Sequence, residues 1–293
     1  MTTHTMKILL QTTIPTIGDD WSIARFSQLA ACLRGLRDNA DQQRFEVTVR
    51  DRSAAGTPDP ILSTLDRQPF DELWLFAVDE GAGLSREDCQ GISRFWMAGG
   101  GLLVARDHMD LGSSVCGLGA IGKAHHFHTK NLDPDESMHH IDDPYTKHIL
   151  WPNFHSGANG DYQEIRGVGN IHPVLAHPTS PTGALQYLPA HPHEGSVGAP
   201  PHENARVIAT GTSKTTGRLF NIAVAFEPID GRGAALAAST FHHFADYNWD
   251  PRVGAPTFVD EPAGSSMLQN PEAIEHTHRY VENMALWLAP RRS

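Results

Sequence analysis

Eighteen of the 293 residues are histidine, and most of them fall between His108 and His243. Imidazole titrates near neutral pH and is the commonest metal ligand, so the clusters bear on chemistry first. In His191-x-His193-Glu194, an extended backbone puts residues i and i+2 on one face, where two imidazoles could chelate one ion. Glu194 could then ligate, or act as a base on bound water. Asp107–His108 reads as an acid–base pair, or as a ligand imidazole oriented by a carboxylate; the alternative is a turn whose aspartate caps the next helix. His242–His243 stands at the end of an apolar run. Neighbours on a strand face opposite ways, so one should enter a site while the other packs or caps. Arg106 offers a guanidinium for a carboxylate or an oxyanion. His125, His126, His128, His139 and His140 either line a lid or stand in solvent. His155, His172 and His177 sit beside Gly and Pro and read as loop residues. Cys116 reads as a small buried thiol, a nucleophile only with a nearby base and a lowered pKa. Trp21 either stacks on a ligand or staples a helix start.

Four strand ends would have to carry these groups. Residues 7–14 (KILLQTTI) read as a buried first strand. A helix should follow Ser22, with Ile23, Phe26, Leu29, Ala30, Leu33 and Leu36 at helical spacing. Short strands are expected at 45–49 and 73–78, with a brief helix near 61–65. Ser85 should cap a helix with Glu87 and Asp88 in its first turn, stopping at Gly99–Gly101 before a strand at 102–105. Regular structure returns with strands at 205–210, 219–226 and 234–239 and an amphipathic helix over 271–288. This rhythm predicts a single α/β domain over 1–293 with a doubly wound parallel sheet. Its core covers about 5–110 and 203–290. The Gly-, Pro- and His-rich stretch 111–202 should form a loop-rich insertion over the carboxyl edge. Ligands of such sheets bind beyond the carboxyl ends of the strands. The residues delivered there are Thr12, Thr13, Asp19, Asp20 and Trp21; Asp79 and Glu80; Arg106 to His108; and His242, His243, Asp246 and Asn248.

Composition narrows the partners. The chain is 40% hydrophobic and 19% charged, as ordinary globular proteins are. A formal net charge of −11 repels phosphate backbones, so no nucleic acid is expected. No apolar run approaches the roughly 18 residues that span a bilayer, so no membrane is expected either. The short polar leader MTTHTMK and three cysteines without disulfide spacing make the cytoplasm the expected compartment. A small molecule is the expected partner, and a homodimer is the expectation from base rates alone. No Gly-x-Gly-x-x-Gly follows the first strand, and neither a P-loop nor a Gly-x-Ser-x-Gly elbow occurs.

Longer segments carry a family likeness. GGGLLVARDH and AASTFHHFADYNWD, with a last helix closing in NMALWLAP, resemble the class I glutamine amidotransferase-like fold. IPTIGDDWSIARFS, ARDHMDLGSSVCG, LPAHPHEG and STFHHF are similar to its ThuA-like (trehalose-utilisation) and related bacterial branch, so the resemblance spans most of the chain. It implies a flavodoxin-like core. It does not imply glutaminase chemistry, because that family's nucleophile is a cysteine in a Gly-x-Cys-x-Gly turn straight after the strand. Here Arg106, Asp107 and His108 occupy that turn, and Cys116 comes several residues later.

Three functions remain open. The first is a metal-assisted hydrolase acting on a small polar molecule. His191 and His193 would bind a divalent ion, with zinc the leading candidate, and His108 or one of His242 and His243 would complete the site. Asp107 or Glu194 would accept a proton from bound water, and Arg106 would hold an oxyanion or carboxylate. The second is a metal-free enzyme in which Asp107, His108 and His242 do acid–base work on a carbohydrate-like substrate, as the resemblance hints. The third is a non-catalytic ligand-binding or scaffold protein.

Overall fold

The computed structural model describes residues 5–143, 146, 148–229 and 231–290; the first four residues of the leader lie outside them. The apolar runs form the strands β1 (Met6–Thr12), β2 (Phe45–Arg50), β3 (Glu72–Phe76) and β4 (Gly101–Ala105). Two short strands, β5 (His125–His126) and β6 (Tyr162–Glu164), follow. Then come β7 (Arg166–Gly167), β8 (Tyr187–Pro189), β9 (Ser196–Val197), β10 (Ala205–Thr212), β11 (Leu219–Phe226) and β12 (Ala235–Ala238). The main sheet has the order β2-β1-β3-β4-β12-β11-β10-β7. Its first five strands are parallel, and the winding reverses between β1 and β3, as in flavodoxin-like sheets. β11, β10 and β7 run antiparallel to their neighbours. The links 213–218 and 227–234 are too short for a parallel crossover, so hairpins are the geometry left.

Helices cover both faces, which is why β3, β4 and β12 are buried along their whole length. On one side α2 (Arg86–Met97) carries the expected capping box: Ser85 Oγ accepts from Asp88 N at 3.0 Å and the Asp88 carboxylate accepts from Ser85 N at 2.9 Å. Gly91 of α2 lies against the 3-10 turn Leu62–Arg67, where a Cβ would collide with the Leu62 carbonyl. On the other side lie α1 (Ser27–Gly35) and α6 (Pro271–Leu288), whose Tyr280, Val281, Met284 and Leu288 face the sheet.

The helix expected after Ser22 is split. Ile23–Phe26 is a 3-10 turn and Ser22 caps nothing. The free N–H groups of α1 are instead received by Asp246, whose carboxylate accepts from Ser27 N at 3.0 Å and Gln28 N at 2.8 Å. A distant acceptor on the short helix α4 (Asp246–Trp249) does what the local sequence promised from Ser22.

The stretch between β4 and β10 has little regular structure. It holds α3 (Gly119–Lys123), a β5–β9 pair and a β6–β8 pair, and it adds β7 to the sheet edge. A further short helix, α5 (Ser266–Gln269), leads into α6. Among the described residues no helix is long and apolar enough to cross a membrane.

Candidate functional site

A cavity of about 960 Å³ opens at the carboxyl edge of the parallel strands. Thr13 after β1, Asp79 after β3, Asp107 and His108 after β4, and His242 after β12 all line it. His191 and His193 enter from the segment between β8 and β9, and the loop at 258–261 supplies Phe258 to Glu261 on the rim.

Asp107 is the centre of this group and is 2% exposed. Its Oδ1 accepts from Thr240 Oγ1 at 2.9 Å and its Oδ2 from His108 Nδ1 at 2.9 Å. His191 Nε2 stands 3.3 Å from Oδ1 and His242 Nε2 stands 3.6 Å from Oδ2. The two imidazoles lie face to face, with centroids 3.5 Å apart and planes within 9°.

The protons on those rings can be placed from their partners. Asn248 Nδ2 donates to the Ala190 carbonyl at 2.9 Å and to Asn159 Oδ1 at 2.7 Å. That fixes the direction of both amides. Asn248 Oδ1 therefore faces His242 Nδ1 at 2.9 Å, and Asn159 Oδ1 faces His191 Nδ1 at 2.8 Å. An amide oxygen only accepts, so both Nδ1 atoms carry hydrogen. Burial, with His242 alongside, pushes His191 well below its ordinary pKa, so its ring is neutral and Nε2 is a bare lone pair. Burial opposes charge on Asp107 too, but the surrounding imidazoles, with His108 donating its Nδ1–H, hold the carboxyl well below the usual range. The His191 lone pair thus faces an Asp107 oxygen, and buried His191 Nε2 has no hydrogen-bond partner. A cation between them would turn that repulsion into bonding. One donor atom from each of Asp107, His191 and His242 falls within a 4.8 Å set, and two nitrogens and a carboxylate oxygen suit a divalent ion such as zinc. The asparagines then occupy the outer-shell place that metal-bound histidines commonly require.

A second histidine–carboxylate group is different. His276 Nδ1 accepts from Gln186 N at 3.0 Å and Tyr187 N at 3.3 Å, which puts its proton on Nε2, towards Glu272 and Glu275. That nitrogen is a donor, so His177, Glu275 and His276 form a charge cluster and not an open ligand set.

The other residues singled out in the sequence fall into place around the centre. His193 lines the cavity, but it does not converge with His191, whose ring lies 5.5 Å away and nearly perpendicular. His193 Nδ1 meets Asn153 Oδ1 at 3.1 Å, and Asn153 is oriented by donating to the Ile149 carbonyl. His193 Nε2 meets Glu261 Oε1 at 2.9 Å, the contact that does most to lower the Glu261 pKa. Acceptors thus stand at both His193 nitrogens. Glu194 is fully buried away from the cavity. It accepts from Ser156 Oγ at 2.6 Å, Ser239 Oγ at 2.7 Å and Gln163 Nε2, and faces His243 Nε2 at 3.4 Å. His242 and His243 sit on a 3-10 turn, Phe241–Phe244, and not on the strand itself. Thr240 Oγ1 caps that turn by accepting from His242 N at 3.1 Å, and the turn sends His242 into the cavity and His243 beneath it.

Arg106 also points below the floor. Its guanidinium lies 4.1 Å over the Phe127 ring and donates to the Met109 carbonyl, and burial pushes its pKa down to about 9. Gly195 is required beside it, since a Cβ there would collide with Nη1. His125, His126, His128, His139 and His140 do not line the cavity; His148 does. Trp21 lines it too, edge-on to His242 at 4.6 Å. Asn153, Asn159, Thr240 and Glu261 carried no signal in the sequence. Asn and Thr are read locally as turn and cap formers, and only the fold gives them imidazoles and a carboxylate to hold.

Neither a protein-family model nor a curated protein matches the chain. Among solved structures, the chain is similar to the N-terminal domain of mmIFT52, with a TM-score of 0.50 and 9% identity over 94% of this chain and 96% of that one. It is also similar to the glutaminase domain of Trypanosoma brucei CTPS with bound acivicin, with a TM-score of 0.46 and 16% identity over 92% and 94% of the two chains. A looser likeness, with a TM-score of 0.37 and 10% identity, is to exo-beta-1,4-mannosidase Op5Man5 from Opitutaceae bacterium strain TAV5, covering 98% of this chain and 37% of that one. At 9% identity and a TM-score of 0.50, the first of these likenesses is one of fold alone.

Proposed function

We propose that the cavity is the active site of a metal-dependent hydrolase acting on a small polar molecule. The observation that carries this reading is the meeting of two Nδ1–H imidazoles with the Asp107 carboxylate, the unpartnered His191 Nε2 facing Oδ1. Asp107, His191 and His242 would hold the ion, and the remaining positions would be open to water and substrate. A divalent ion there would lower the pKa of a bound water towards neutrality. His108, about one-fifth exposed, donates its Nδ1–H to Asp107, and its Nε2 would take a proton from that water. His193, paired with Glu261, would supply a proton to the leaving group. This gives Glu194 and Arg106 supporting places under the floor instead of the base and oxyanion roles expected from sequence. A metal-free reading keeps one specific support, the 2.9 Å Asp107–His108 contact, and turnover indifferent to chelators would select it.

Protein purified without nickel should hold, or take up, close to one equivalent of zinc. Less than a tenth of an equivalent, with no uptake on titration, would remove the metal. Zinc at a hundred times its dissociation constant should add about 2.7 kcal/mol, or roughly 5 °C in melting temperature. The pH response has a definite sign. Because the folded protein keeps His191 below its ordinary 6.5, proton competition at that ligand begins only below that pH, and affinity should fall as pH is lowered further. Asn248→Ala frees both amides that orient the ligands. Its zinc affinity should drop about 10- to 100-fold in a chelator-competition titration.

A further inference from the structure

We propose that Thr240 is a positioning residue for the metal centre, its hydroxyl fixing the Asp107 carboxylate and the turn that carries His242 in one arrangement; this rests on the metal-site reading above. Thr240 is fully buried two residues past the end of β12 and does not line the cavity, so it touches neither the ion nor the substrate. Its Oγ1 carries one hydrogen and two lone pairs. The His242 backbone N–H, 3.1 Å away, takes a lone pair, because an amide N–H only donates. The hydrogen goes to Asp107 Oδ1 at 2.9 Å, because an ionised carboxylate only accepts. One atom therefore joins two of the three ligand residues.

The backbone brings the two segments together but leaves the carboxylate free to turn. Phe241 N donates to the Arg106 carbonyl at 2.8 Å, which extends the β4–β12 ladder to the neighbours of Asp107 and His242. That bond sets the spacing of the segments and not the rotation about the Asp107 Cβ–Cγ bond. Rotation decides which oxygen meets which imidazole. Two donors outside the ligand set stop it: Thr240 Oγ1 on Oδ1, and His108 Nδ1 on Oδ2 at 2.9 Å. With both in place, Oδ1 stays 3.3 Å from His191 Nε2 and Oδ2 stays 3.6 Å from His242 Nε2. His108 is partly exposed in the cavity, whereas Thr240 is enclosed on extended backbone and keeps its bond whatever happens above the floor. Ser239, its neighbour, faces the other way, and its Oγ donates to Glu194 Oε2 at 2.7 Å beneath the floor. Adjacent hydroxyls of similar burial thus serve the ligands and the platform separately.

The test uses cobalt(II), which takes the same nitrogen and oxygen ligands as zinc and absorbs visible light according to its coordination. Thr240→Val keeps the shape and removes the hydroxyl. Its cobalt affinity in a chelator-competition titration should fall about 10- to 100-fold, the range for outer-shell partners of metal ligands. The visible spectrum of the cobalt-saturated variant should also differ from wild type, because the carboxylate has turned. Thr240→Ser keeps the hydroxyl, so it should show the wild-type spectrum and an affinity within about threefold, although the lost buried methyl lowers its melting temperature. Ser239→Ala should likewise melt earlier with the wild-type spectrum, which separates positioning from general loosening of this strand end. Should Thr240→Val not fold, Thr240→Ala also lacks the hydroxyl and carries the same expectation. Wild-type cobalt affinity and spectrum without the hydroxyl, or failure of Thr240→Ser to restore them, overturns this inference and leaves the metal reading standing. A wild-type chain that takes up neither zinc nor cobalt overturns both.

Discussion

Asp107→Asn should abolish zinc binding while leaving the fold intact or slightly more stable. In the wild-type chain each Asp107 oxygen already accepts one hydrogen bond, from Thr240 or His108, and Oδ1 also faces His191 Nε2, which has no proton to give. An asparagine of the same shape turns one of those oxygens into an amide donor. In place of Oδ1 it would donate to His191 Nε2, and Thr240, whose hydroxyl rotates, could accept instead of donate. The metal-free variant thus loses a buried charge and gains a satisfied contact, which offsets the loss of charge-assisted bonds. Metal binding moves the other way, because a carboxylate ligand and its negative charge are gone. Outer-shell changes at such sites cost 10- to 100-fold in affinity, so removal of the ligand itself should exceed about 100-fold. A chelator-competition titration together with a thermal melt separates the two effects. Zinc affinity in Asp107→Asn equal to wild type would show that the acceptors are satisfied in another way. Asp107→Ala would be a poorer test, since it leaves His108 and Thr240 without a partner and confounds folding with binding.

The strands that deliver Asp107 were legible because their sequence is continuous apolar residue bounded by turns, a pattern that buried parallel strands impose by themselves. LWLFAV and LLVA became β3 and β4 within two residues of the expected ends. The antiparallel edge departs from the all-parallel expectation, although the expected strands at 205–210, 219–226 and 234–239 leave connections too short for a parallel crossover. Convergence of His108 and His242 could be anticipated from strand ends, since topology sets where those ends lie, whereas His191 arrives from the segment between β8 and β9. Which neighbour turns inward could not. The His191-x-His193 spacing satisfies the two-residue period of an extended chain, and both rings do reach the cavity, but Asn153 and Glu261 claim His193 from 40 and 68 residues away. His242 and His243 were separated by a 3-10 turn whose cap, Thr240, looks like any strand residue. The reading of Glu194 as a base assumed that a polar residue beside two histidines shares their face. Its backbone instead pairs in both directions with Phe154, which turns the side chain under the floor.

That placement makes Glu194 the second strong test. Glu194→Ala should lower stability by about 3–5 kcal/mol, or roughly 6–10 °C in melting temperature. The carboxylate is completely buried and gathers donors from three segments: Ser156, Gln163 after it in the chain, and Ser239 at the end of β12. Truncation leaves Ser239 Oγ without an acceptor and reduces Ser156 Oγ and Gln163 Nε2 to the His191 and Pro189 carbonyls, in a space closed to bulk water, along with His243, already 3.4 Å from the carboxylate and with Nδ1 unpartnered. Each stranded group carries its own desolvation cost, and the methyl that replaces the side chain also leaves a void. Glu194→Gln keeps the volume and one acceptor oxygen, so its loss should be less than half as large. Zinc affinity in Glu194→Gln should stay within about threefold of wild type, because Asn159, Asn248 and Ala190 orient the two rings, while Glu194 reaches His191 only at its backbone through Ser156, where a glutamine oxygen can still accept. A glutamate that served as the proton acceptor would give the reverse pattern in denaturation and binding, with melting temperatures near wild type for both variants and the defect confined to the metal-bound water. The two outcomes assign Glu194 either to the platform beneath the imidazoles or to the chemistry above it, and the three buried donors that close on its oxygens favour the platform.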